Sequence, residues 1–140
     1  MLAAYARPGA AQAALCLQDE HGQHVTYLLW AAWGRIDDPV LLARGATLAR
    51  DWDMAALKPL RQVRRALKPA FPGLAGNARE ALRQGVKAAE LNAEQVLAQG
   101  LEATGAKGSV STLQALVAAA QAWGTPAPED ALRRLAEVLA

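Results

Sequence analysis

Val25-Thr26-Tyr27-Leu28-Leu29-Trp30-Ala31-Ala32-Trp33 is a run of nine residues without a charge, set between Gly22 and Gly34 and holding two of the four tryptophans. A helix that is apolar on every side has to be covered on every side. The run therefore predicts the central post of a small helical bundle. It has about half the length of a bilayer span, which needs roughly 20 residues, so no membrane span is expected.

Breakers divide the chain on either side of this post. Pro8-Gly9 opens a helix over 10–20 that Gly22 ends. His24 or Thr26 is placed to cap the apolar helix, and Gly34 closes it. Asp37-Asp38-Pro39 restarts the chain, with Asp38 as the cap and Pro39 at the first helical position, where its missing N–H is not needed. Trp52 and Asp53 then lead into a basic helix that Pro59 starts or kinks and Pro69 ends. The longest helix follows, with Asn77 as its cap. Leu82, Val86, Ala89, Ala93, Val96 and Leu97 give it an apolar stripe, opposite a charged strip of Arg83, Lys87, Glu90 and Glu94.

Gly105-Ala106-Lys107-Gly108-Ser109 reads as a flexible joint. Beyond it, one amphipathic helix opened by Ser109 or Ser111 runs to Trp123, and a second starts at Pro128 with Leu132, Leu135 and Val138 on one side. Together they form a hairpin. No stretch alternates with period two. The expected fold is all-α: a compact six- or seven-helix bundle around the central apolar helix, over residues 1–104. A C-terminal helical hairpin over 105–140 packs on that bundle or hinges from it.

With 140 residues, 53% of them hydrophobic and 20% charged, the chain has an ordinary globular composition. Fifteen Lys and Arg against thirteen Asp and Glu leave +2, too little to name a partner. A lone cysteine forms no internal disulfide, and Met1–Pro8 has no basic segment leading into a long apolar stretch. Both point to a cytoplasmic protein.

Most of the chemistry-bearing residues have a structural reading. Cys16, flanked by Ala13, Ala14, Leu15 and Leu17, reads as a small buried apolar residue. His21 and His24 flank Gly22, but the further ligands a zinc ion wants are Asp19 and Glu20 in the same turn, so no metal site is expected. Asp37 and Asp38 are accounted for by capping. Gly73-Leu74-Ala75-Gly76 lacks the Lys and the Ser or Thr of a phosphate loop. Tyr27, Trp30 and Trp33 read as core. No catalytic residue and no cofactor is expected.

Two clusters remain. Lys58, Arg61, Arg64, Arg65 and Lys68 form a basic face, in a stretch where residues 58–87 carry eight cations against Glu80 alone. Such a face can neutralise phosphates. Without interleaved aromatics it reads first as solvated, or as paired with acidic residues elsewhere in the bundle. Gln18, Asp19 and His24 form a polar cluster, and Asp19 lies in a last turn where negative charge opposes the helix dipole. It reads as a polar tie between helices, with a ligand pocket as the alternative.

Tyr5-Ala6-Arg7-Pro8-Gly9, Cys16–Gly22, Leu28–Trp33, Pro59-Leu60-Arg61, Val63–Lys68 and Val86–Leu91 together resemble a family of short, uncharacterised, all-helical bacterial proteins with a domain of unknown function. The resemblance covers roughly residues 3–104, and Leu17-Gln18-Asp19 with Gly22 and the apolar run is its most specific part. It implies no activity. It does imply that Gln18, Asp19, Arg61, Arg64 and Lys87 belong to one shared design, and it leaves the hairpin outside. The function expected is a non-enzymatic interaction module, an adaptor or regulator that binds another protein or a second copy through helical faces. The alternative is binding of a nucleic acid or phosphate ligand through helix 58–68.

Overall fold

The computed structural model describes Met1, Ala3 and residues 6–140, and Tyr5, the first residue that carries the resemblance, lies outside the described residues. Seven α-helices are described: α1 (Ala10–His21), α2 (Val25–Gly34), α3 (Pro39–Trp52), α4 (Lys58–Ala66), α5 (Gly76–Glu102), α6 (Thr112–Trp123) and α7 (Glu129–Leu139). No strand occurs among the described residues, and the fold is an all-α bundle. No described helix is long and apolar enough to cross a membrane.

The helix ends follow local chemistry. Gly22 takes the left-handed conformation, φ 63°, that closes α1. His24 caps α2 by accepting the Tyr27 N–H at its Nδ1, 3.3 Å away. Asp38 caps α3, accepting the Val40 N–H at 2.8 Å and the Leu41 N–H at 3.4 Å. Ser111 and Gln114 form a reciprocal capping box on α6. Two expected ends differ. Arg35, with φ 52°, and not Gly34, takes the left-handed position after α2. Gly34 is small for another reason: a Cβ there would press on Ile36 and the Ala106 carbonyl. The helix α5 starts at Gly76, so Asn77 lies inside it and caps nothing.

Eight of the ten residues of α2 are buried, between α6, α5, α1 and α3. The Trp30 ring fills a slot that exists because residue 45 is glycine; any Cβ there would overlap the ring. The buried Tyr27 hydroxyl donates to the Ala119 carbonyl at 3.0 Å, and burial raises its pKa, so it stays a neutral donor. Trp33 is not core as expected but 48% exposed. The segment after α5 flanks this last turn, with Lys107 Nζ 5.9 Å from the ring centre.

That segment is strapped down where a flexible joint was expected. The Gly108 N–H donates to the Gly34 carbonyl at 2.8 Å, and Arg35 Nε donates to the Val110 carbonyl at 2.6 Å. A Cβ at 108 would strike the Arg35 carbonyl, so the close approach requires glycine. Beyond the strap, α6 packs on α2 and α3 while α7 packs on α1. Leu116, Trp123, Leu132 and Leu135 share one apolar core with Tyr27 and Trp30.

Residues 39–66 form one continuous rod. The break expected at Trp52–Asp53 is instead a π-helical turn, Asp53–Leu57, in which the Lys58 N–H reaches back to the Asp53 carbonyl. The wider turn accommodates the Pro59 ring, which has no N–H to give. From Lys58 the rod runs beside α5, whose 27 residues extend about 40 Å. Ala93, Leu97, Ala98 and Leu101 anchor the far half of α5 in the core. The near half meets α4, and its expected pattern holds only in part: Val86 is half-buried and Lys87 exposed, whereas Leu82 and Ala89 are exposed and Arg79, Arg83 and Glu90 half-buried. The helix outruns the apolar core, and its neighbour there is polar.

Candidate functional site

A cleft of about 410 Å³ lies where the α1–α2 turn, the π-helical turn, α4 and α5 converge. It merges much of both clusters read from the sequence. Gln18 and His24 line it from one side, and Lys58, Arg61 and Arg64 from the other. The remaining candidates lie elsewhere. Asp19 is about 100° further around α1 than Gln18, exposed, in a separate depression beside Arg134 of α7. Arg65 and Lys68 are exposed outside the cleft. The Lys68 carbonyl, with that of Leu67, accepts hydrogen bonds from Arg79 Nη1 at 2.8 and 2.6 Å.

The residues that complete the cleft are Gln23, Asp53, Glu90 and Glu94, which the sequence reading did not assign to any site. Gln23 carried a signal, as a polar residue in the turn before an all-apolar helix. Glu90 and Glu94 were read as an outward strip because periodicity groups residues on a face without saying which face is covered. Asp53 gave no signal beyond marking a helix start.

Local geometry commits several of these groups. The His24 ring accepts at Nδ1 as the cap of α2, which assigns the proton to Nε2, 3.0 Å from Asp53 Oδ1. Both ring nitrogens are thus engaged. Arg64 Nε donates to Glu90 Oε1 at 2.5 Å, a partly buried pair that joins α4 to α5. Burial raises the pKa of the Glu94 carboxyl, and the nearby Arg61 charge opposes the shift.

The wall opposite α4 is fixed by the C-terminal hairpin. Trp123 Nε1 donates to the Gly22 carbonyl at 2.9 Å, and Gln23 Nε2 donates to the Thr125 carbonyl at 2.6 Å. The Trp123 ring packs tilted on His24, with centroids 5.4 Å apart, and carries the Arg50 guanidinium 4.2 Å above it. Arg50 also donates to the Trp123 carbonyl.

Cys16, expected in the core, is half-buried instead, and its Sγ donates to Glu20 Oε2 at 3.4 Å. That carboxylate pushes the thiol's pKa up, which disfavours the nucleophilic thiolate. The ligand atoms of Cys16, Glu20 and His21 lie within 4.8 Å of one another. Neither His24 nor Asp19 joins them.

No curated protein and no solved structure matches the chain significantly. A family profile does match, over residues 1–101, spanning α1 to almost the end of α5 and ending before the hairpin that fixes the cleft wall. The chain belongs to the family described as protein of unknown function (DUF2390).

Proposed function

We propose that this protein is a non-enzymatic interaction module, an adaptor or regulator that holds another protein, or a second copy of itself, on the arm built from α4, the loop after it and the near half of α5. One observation carries this reading. Among the described residues, four of the eleven exposed large hydrophobics lie on this arm: Val63 on α4, Phe71 and Leu74 in the loop and Leu82 on α5. Exposed large apolar side chains gathered on one arm offer a place where something else can pack. The corresponding side chains of the hairpin are already buried in the core. The engaged nitrogens of His24 and the disfavoured thiolate of Cys16 support a role without chemistry.

The test compares the full chain with the triple variant Phe71→Ser, Leu74→Ser, Leu82→Ser, checked for native helicity. Cross-linking at native concentration, in extract and with purified protein, is expected to give adducts for the wild type that the variant loses. Adducts unchanged in the variant, or absent from the wild type, contradict the reading. Nucleic-acid binding through helix 58–68 is the second reading. It is weakened because Arg64 is paired and Lys58 and Arg61 line the cleft, leaving Arg65 and Lys68 exposed outside it. It requires affinity for an oligonucleotide that falls steeply with salt.

A further inference from the structure

Sequence spacing pairs His21 with His24 across Gly22, but the fold separates them. His24 lines the cleft with both ring nitrogens engaged, whereas His21 stays with the last turn of α1. There Cys16, Glu20 and His21 bring a thiol, a carboxylate and an imidazole together, every ligand atom within 4.8 Å of the others. Glu20 Oε2 is 3.4 Å from Cys16 Sγ and 3.9 Å from His21 Nε2. In a tetrahedral zinc site with ordinary bond lengths, neighbouring sulfur, nitrogen and oxygen ligands lie about 3.3–3.7 Å apart. Two edges of such a tetrahedron are nearly in place, and rotation of the side chains closes the third without moving the helix.

The surrounding charge also suits a cation. Asp19 and Glu20 sit in the last turn of α1, where the free backbone carbonyls already concentrate negative potential. Among the described residues, the polar partners of Glu20 are the Cys16 thiol and the His21 ring alone. A thiol is a weak donor, so a metal ion that takes its place displaces little. Arg134 of α7 lines the depression beside Cys16 and Glu20, but its guanidinium is paired with Asp130 at 3.6 Å. The donor set selects the ion: magnesium and calcium take oxygen ligands, whereas a thiolate with an imidazole suits zinc. All three groups can be reached from solvent, since Cys16 and His21 are half-buried and Glu20 is exposed.

We propose that Cys16, Glu20 and His21 bind a zinc ion, with water in the fourth position. Binding sends the thiol proton to solvent and leaves a zinc-bound thiolate. The ion is structural: it ties the last turn of α1 together just ahead of Gly22 and performs no reaction. This inference stands apart from the apolar arm, and either can fail without the other.

The test is titration of the reduced, metal-free full chain with cobalt(II), a spectroscopic stand-in for zinc whose bond to a thiolate absorbs in the near ultraviolet. One band that saturates at one metal per chain is expected, lost when zinc is added and kept in excess magnesium. Glu20→Gln and His21→Gln are each expected to weaken cobalt binding at least tenfold, and Cys16→Ser to abolish the band. Asp37→Asn, at an exposed carboxylate outside the cluster, is expected to leave it unchanged. Zinc is also expected to raise the melting midpoint of the wild type but not that of Cys16→Ser. Glu20 is exposed and its loss does not threaten the fold, so that variant decides the matter if His21→Gln unfolds. The proposal is overturned if no band saturates at one metal per chain or if magnesium displaces the metal. It is equally overturned if Glu20→Gln binds cobalt as tightly as the wild type, because the thiol would then be acting alone.

Discussion

The helices α2 and α4 are nearly equal in length, ten and nine residues, and they are held in opposite ways. Eight residues of α2 are buried and none of its residues is charged, whereas α4 has no buried residue and carries four cations. The first is fixed by removing apolar surface from water, each large side chain contributing about 1.5–3 kcal/mol. The second is fixed by ties to α5: the Arg64–Glu90 pair, the caps that Arg79 places on the Leu67 and Lys68 carbonyls, and half-buried Leu60 and Leu67. A helix docked in this second manner leaves apolar side chains such as Val63 exposed. It also opens at lower free energy than the core.

The largest effect belongs on the core side of this contrast. Trp30→Ala empties the slot over Gly45 and is expected to cost about 4 kcal/mol, lowering the midpoint of chemical denaturation for the whole chain. A small cost would mean that the core does not depend on α2. On the arm side, Arg64→Met leaves the mostly buried Glu90 carboxylate without its partner, at an expected cost of about 2 kcal/mol. That loss is expected to appear as faster amide exchange in α4 and the near half of α5, with the exchange of α2 and α6 unchanged. A uniform acceleration would erase the distinction between the two regions.

A smaller and pH-dependent effect is expected where the regions meet. Burial places the Glu94 carboxyl above its ordinary value of 4.5, so the folded chain holds that proton more tightly than the unfolded one. Stability therefore falls as pH rises from 4.5 through the folded-state value, and the fall is complete above it. Glu94→Gln removes it: the variant and the wild type should melt alike near pH 4, with the variant melting higher at pH 7. A variant that melts lower at pH 7 would mean that Glu94 is stabilised as an anion.

The core was more legible in the sequence than the cleft. Gly22, Asp38-Pro39 and the uncharged run over 25–33 each act through their own backbone, and they punctuate the chain where the sequence says. The rod over 39–66 was hidden because Pro59 signals a break, whereas a π-helical turn ahead of it removes the conflict. The exposure of Leu82 and the covering of Arg83 on α5 were hidden because the two lie on neighbouring faces, and only the partner helix decides which is covered. The cleft joins residues 18–24, 53–64 and 90–94 with Trp123, a juxtaposition set by tertiary packing. Its polar residue types were visible, but which of them converge was not.

The most direct test of this division is hydrogen exchange across the intact chain at neutral pH, followed peptide by peptide. Amides of α4 and the near half of α5 are expected to exchange at least tenfold faster than those of α2 and α6, which should open only with global unfolding. Protection of residues 58–90 equal to that of α2 would contradict the account, because the arm would then be as firmly built as the core.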